Sequence, residues 1–243
     1  MTRSGTHMVD QQIKTADLLR LQAWLSPTFP IGGFSYSHGL EEAVALGDVD
    51  DPESLFGWIE AAVSQGAGRV DGMLLVAAWR AADAGDYKRL QQVVEIGAAM
   101  RGTAELALES KAQGEAFLDT IQAAWTNTAV ESATAAIKQT KINSAVSVPV
   151  AVGMVTACHG VPVEYVLPMY LQSFAAGIVS AGVRLIPLGQ TDGQRVVARM
   201  QSVVERAGEA TLAANFEDIG GATPVIDLAS MAHEMRDGRL FRS

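Results

Sequence analysis

Two adjacent apolar stretches in the second half of the chain, residues 146–159 and 162–185, constrain the fold most. The first is rich enough in valine to resemble a strand, but its length and the small residues Ala151, Gly153 and Ala157 point to a buried helix closed by Gly160. The second opens at Pro162 and sets Val166, Leu167, Tyr170, Phe174, Ile178 and Leu185 at helical spacing. Ser173, Gly177 and Ala181 recur every fourth residue there, so a neighbouring backbone can approach closely. Pro168 lies inside the pattern and is expected to kink or break it. Helices this apolar belong in an interior, packed within one subunit or partly across a dimer, and the rest of the chain must cover them.

The remaining patterns are also helical. Asp17 reads as a cap for Leu18, Leu19, Leu21, Trp24 and Leu25, with Pro27 as the stop. Leu40, Ala43 and Val44 make a short helix closed by Gly47. Asp51-Pro52-Glu53 starts another, with Leu55, Ile59, Ala62 and Val63 on its buried face. Gly66 and Gly68 interrupt before Met73, Leu74, Ala77, Ala78 and Ala81. After Ala84-Gly85-Asp86 come Tyr87, Leu90, Val93, Val94 and Ala98. A longer helix is read from Thr103 to Ile121, with Leu106, Leu108, Phe117 and Leu118 apolar and Glu109, Lys111 and Glu115 on a solvated face. Gly114 costs that helix about 1 kcal/mol relative to alanine, which close packing would explain. Residues 125–141 carry a weaker helical pattern. Val196, Val197, Met200, Val203 and Val204 mark a helix ending near Gly208, and Thr223-Pro224 caps a last one with Ile226, Leu228, Met231 and Met235. No repeat or hairpin series is visible, so the expected fold is an all-α, single-domain multi-helix bundle. Residues 1–15 are expected to be disordered, 16–235 to form the helical domain and 236–243 a C-terminal docking tail.

The chain carries a formal net charge of -9, which repels phosphate backbones and anionic lipid surfaces, so neither nucleic acid nor membrane is an expected partner. Residues 1–14 show no secretory pattern, and the run 145–157 falls short of the roughly 20 apolar residues of a membrane span. Cys158 is the single cysteine, which fits a reducing compartment, and cytoplasm is the expected location.

Between the first two helical patterns lies a stretch unlike any other: Pro27-Thr28-Phe29-Pro30-Ile31-Gly32-Gly33-Phe34-Ser35-Tyr36-Ser37-His38-Gly39-Leu40-Glu41. Pro30 restricts the backbone while Gly32 and Gly33 permit conformations other residues avoid, so it reads as a shaped surface bearing Phe34 and Tyr36. No Gly-Lys-Ser or Gly-Lys-Thr follows, which excludes a phosphate loop. Ser35 or Ser37 beside His38 would suit a nucleophile and base, but no acid partner is visible. Adjacent Cys158 and His159 point different ways on a helix, and His233-Glu234 lacks the second histidine of a zinc-protease helix. No stable metal site is read from the four histidines. Arg184, beside Pro187-Leu188-Gly189-Gln190, suits a carboxylate, an interface or a helix-end cap. The basic tail with Phe241 suits fraying or ordering on binding.

Four blocks in order carry a resemblance over nearly the whole chain from Leu18: Pro30 to Glu41, Glu109-Ser110-Lys111-Ala112-Gln113-Gly114, Val183 to Gln194, and Arg239-Leu240-Phe241-Arg242-Ser243. In these the chain resembles the UreF family of urease accessory proteins. The resemblance implies a non-enzymatic, dimeric all-α scaffold that binds UreD (also called UreH) and recruits the GTPase UreG. It implies an assembly that delivers nickel to apo-urease and modulates GTP hydrolysis, with no cofactor stably bound. It implies that Pro30, Gly32, Gly33, Phe34, Ser35, Tyr36, Ser37, His38, Gly39 and Glu41, with Arg184, Pro187, Leu188, Gly189 and Gln190, meet the GTPase or line the metal's route. It further implies that His233, Glu234, Arg239, Leu240 and Phe241 dock on UreD. The family usually reads His-Glu-Thr-Gln-Tyr-Ser-Arg-Leu-Phe at the tail, whereas here Met235-Arg236-Asp237-Gly238 replace the middle. The alternatives are a generic helical interaction protein and a helical-bundle enzyme using Ser35 or His38.

Overall fold

The computed structural model describes residues 13–100, 102–139 and 146–242; the expectation for residues 1–12, and for the helical pattern beyond residue 139, lies outside them. Among the described residues there are eleven α-helices and no strand. They are α1 Thr15–Trp24, α2 Leu40–Leu46, α3 Pro52–Ser64, α4 Ala67–Asp83, α5 Tyr87–Ala99, α6 Ala104–Ala124, α7 Thr128–Ile137, α8 Val148–Cys158, α9 Val163–Leu185, α10 Gln190–Ala213 and α11 Pro224–Glu234.

The two apolar stretches form α8 and α9 at the centre. Every residue of α8 from Pro149 to Ala157 is buried. Its glycine sets the spacing of the core, since a Cβ on Gly153 would stand 2.2 Å from the Leu75 carbonyl oxygen of α4. Gly114 of α6 is equally tight, as a Cβ there would meet the Val146 carbonyl oxygen at 1.9 Å. Close packing therefore explains a glycine that the helix alone disfavours. α9 packs on α3, α4 and α10. It is long and apolar enough to span a membrane, unlike the shorter run singled out from sequence, yet half of its most apolar window is buried inside the fold.

Several expectations are corrected. α9 is one continuous helix through Pro168, whose ring lies against Gly208 of α10, with 3.7 Å from Cγ to a Cβ built there. Gly208 is thus an interior packing position of α10, not its end. The tight glycine of α9 is Gly182, facing Leu55, whereas Gly177 has open space around it. Lys14, not Asp17, occupies the N-cap position of α1, with no side-chain cap bond; Asp17 sits in the first turn, buried and paired with Arg20 at 2.7 Å. Ala98 is exposed on α5.

The largest correction concerns α6. Glu109 and Gln113 are buried and Leu108 is exposed, the reverse of the expected solvated face. The inward face follows Ser110, Gln113, Gly114, Phe117, Leu118 and Ile121. α11 is likewise turned around: it buries Ala229, Ser230 and His233 and points Val225, Leu228 and Met231 to solvent.

Candidate functional site

The segment between α1 and α2 is a series of hydrogen-bonded turns. Gly32 takes a left-handed φ of 72° before a short 3-10 turn at Gly33–Ser35, and His38 (φ 53°) and Gly39 (φ 74°) continue in the left-handed region. Two such residues cannot be helical, so α2 starts only at Leu40. Gly39 is required twice over, because a Cβ there would lie 2.9 Å from the Ser230 backbone nitrogen of α11. The turns leave Pro30, Gly33 and Phe34 on the surface, Phe34 with 67% of its area exposed. Tyr36, Ser37, Gly39 and Glu41 face inward, and Gly32, Ser35 and His38 are half-buried.

The C-terminal tail folds back onto this segment. Glu41 Oε1 accepts the Leu240 backbone N–H at 2.8 Å, and Oε2 accepts that of Phe241 at 2.9 Å and faces His233 Nε2 at 3.1 Å. Burial opposes ionisation of this carboxyl, but the two backbone donors and His233 outweigh it and hold its pKa below the ordinary 4.5. His233, fully buried, reaches Glu105 Oε2 of α6 through Nδ1 at 2.9 Å. Glu105 also pairs with Arg239, and its backbone N–H donates to Glu234. The Phe241 ring is buried beneath the Arg184 guanidinium, 4.4 Å from ring centroid to Cζ, and Arg184 Nη2 donates to the Phe34 carbonyl oxygen at 2.9 Å. A backbone bond from Arg242 to the Ser35 carbonyl closes the junction.

Residues about 150 to 200 positions apart are therefore brought together: the Pro30–Glu41 segment, Arg184, His233, Glu234 and Arg239–Phe241. His233, Glu41 and Phe241 hold the surface from beneath, while Phe34, Arg184, Arg239 and Leu240 present it. Pro187, Gly189 and Gln190 are exposed at the α9–α10 connection, with Leu188 half-buried. Beside this junction α11 displays its apolar side, Leu228 at 65% and Met235 at 86% exposure.

Behind the turns lies a cavity of about 530 Å³, walled by Leu25, Ile31, Tyr36 and Phe117. Its polar end holds His38 and Glu109, 3.6 Å apart, with Gln113 donating to Glu109 at 3.0 Å. The His38 ring packs on Phe174, its Nε2 facing the carboxylate; Ser37 Oγ accepts the Glu41 backbone N–H. Burial pushes the Cys158 thiol up to about 11, removing thiolate character, and burial with Arg20 nearby lowers the pKa of His159, which bonds the Trp125 carbonyl oxygen. Among the described residues no three His, Cys, Asp or Glu side chains converge on a metal site.

The sequence reading did not assign Glu105, Glu109 or Gln113 to the site, although Glu109 and Gln113 lie in one of the blocks that carry the resemblance. The i, i+3, i+4 run back from Ile121 through Phe117, Gly114 and Gln113 was the available signal for the last two. Nothing local marks Glu105, whose partners come from α11 and the tail.

The sequence model of the UreF family matches residues 49–201, more than half of the chain. The chain belongs to the UreF family. Relatives named urease accessory protein UreF include one from Rhodopseudomonas palustris (strain HaA2), 47% identical over 94% of both chains. Another, from Granulibacter bethesdensis, is 46% identical over the same shares, and one from Bradyrhizobium sp. (strain ORS 278) is 47% identical over 94% of this chain and 92% of its own. These alignments extend well beyond the 49–201 core of this UreF-family chain.

Proposed function

We propose that this chain acts in urease maturation as a non-enzymatic scaffold. With UreD/UreH it recruits the GTPase UreG for GTP-dependent nickel insertion into apo-urease. The observation that carries the reading is the junction at Glu41, which welds the Pro30–Glu41 segment and the Arg239–Phe241 tail into one composed surface in a chain whose relatives are named urease accessory proteins. Two faces result. Phe34, Arg184 and Gln190 lie on the side for the GTPase. α11, with Val225, Leu228, Met231, Met235 and Leu240 exposed, lies on the side for UreD. The chain works in the cytoplasm as a homodimer, without a resident cofactor, and nickel passes through the complex as cargo.

The test is co-purification of the tagged chain with UreD and UreG, with and without GTP and nickel. The wild type should form the ternary complex and Phe34→Ala should lose UreG while keeping UreD. Absence of any ternary complex with the wild-type chain would overturn the scaffold reading.

A further inference from the structure

We propose that Met231 and Met235 form an oxidation site that switches the α11 docking face off when a peroxide oxidises their thioethers. The inference rests on the reading of α11 as a docking face. Its chemistry is independent of which protein docks.

Spacing on α11 carries the first step. Val225, Leu228 and Met231 recur every third residue, and Met235 follows one turn later as the C-terminal cap. The inward side of the same helix takes Ala229, Ser230 and His233, so the large apolar side chains have no room there and project outward. Met231 is 48% and Met235 86% exposed. The described interior methionines contrast sharply: Met73 is 3% exposed and Met154 and Met200 are fully buried. Peroxide therefore reaches the α11 sulfurs far more readily than these three.

The step balances simply. A thioether lone pair attacks one oxygen of hydrogen peroxide, the O–O bond breaks, and proton transfer releases water. Sulfur is oxidised to the sulfoxide, and the peroxide is reduced. The product is a polar, strongly accepting group in place of an adaptable apolar one. A partner that covers the face must then bury that S=O without a matching donor, or leave it wet. Either outcome weakens docking by about tenfold or more. Methionine sulfoxide reductases reverse the change, so the mark is removable.

The full chain is treated with hydrogen peroxide, and each methionine-containing peptide is followed by mass spectrometry. Binding to purified UreD is measured before treatment, after it, and after reductase treatment. The α11 peptide should gain oxygen well before the peptides containing Met73, Met154 and Met200, binding should fall about tenfold or more, and reductase should restore it. A Met231→Leu, Met235→Leu variant, compared with its own untreated affinity, should keep that affinity through the same treatment. Oxidation of the α11 methionines no faster than the interior ones would overturn the proposal. So would an equal loss of binding in the leucine variant. Failure of untreated wild type to bind UreD would instead strike the docking assignment, whereas the mass-spectrometric arm would still report on the oxidation site.

Discussion

Replacing Glu41 by alanine removes the acceptor on which the tail junction converges. Three donors meet this carboxylate, the N–H groups of Leu240 and Phe241 and the ring of His233, at 2.8, 2.9 and 3.1 Å. Hydrogen bonds to a charged group contribute about 1.5–3 kcal/mol each, so a naive sum reaches roughly 5–9 kcal/mol. The donors share one carboxylate, and water reaches the amides once the tail lifts, so the net cost of Glu41→Ala is about 3–5 kcal/mol. Glu41→Gln keeps one acceptor but turns an NH2 toward a donor, and should cost about 1.5–3 kcal/mol. Arg184 over Phe241 remains in both variants and retains about 1–2 kcal/mol of tail attachment. The assay is amide hydrogen exchange across residues 238–242, with urea unfolding as the global measure. Protection at Leu240 and Phe241 should fall roughly a hundredfold or more in Glu41→Ala, with a smaller fall in Glu41→Gln. If the alanine variant keeps wild-type protection there, Glu41 does not hold the tail and the composed surface loses its basis.

Two further outcomes follow from the packing and from the carboxyl itself. Gly153→Ala drives a Cβ into the Leu75 carbonyl oxygen, backbone against backbone, and should destabilise by about 3 kcal/mol or prevent folding, measured by denaturant unfolding; Gly177→Ala, with open space around it, serves as the tolerated control. Because the pKa of Glu41 is lower folded than its ordinary 4.5, its contribution is complete above that pH and is lost as pH falls through the folded value; tail protection corrected for intrinsic exchange should drop on acidification in wild type and stay flat in Glu41→Gln, whereas loss of protection on raising the pH from 4.5 would refute the assignment.

Much of the architecture was legible because it rests on local rules. The box at Asp51, where the carboxylate accepts the Ser54 N–H, the left-handed caps at Gly47 and Gly160, and the apolar centre of α8 and α9 need only neighbouring residues to be recognised. Helix orientation was harder where apolar and polar residues share a face. Leu108 looked like core and Glu109 like surface, yet the core side of α6 is set by contact with α8 through Gly114, and that contact turns Glu109 inward. The same holds for α11, whose larger apolar residues face solvent because α2 leaves room only for Ala229, Ser230 and the His233 ring.

The site divides along the same line. Sequence alone determined that residues 27–41 form a rigid, glycine-bearing turn with aromatic side chains, since proline and glycine act on their own backbone. It could not assign Glu41 its partners, because they lie about 190 to 200 positions away and their N–H groups carry no sequence signature. Only the tertiary structure decided that Phe34 stands outward while Tyr36 and Phe241 are buried, and that one carboxylate joins the turn, α11 and the tail. Long-range pairing depends on where packed helices bring backbone donors, and that geometry exists only once α8 and α9 have fixed the positions of everything around them.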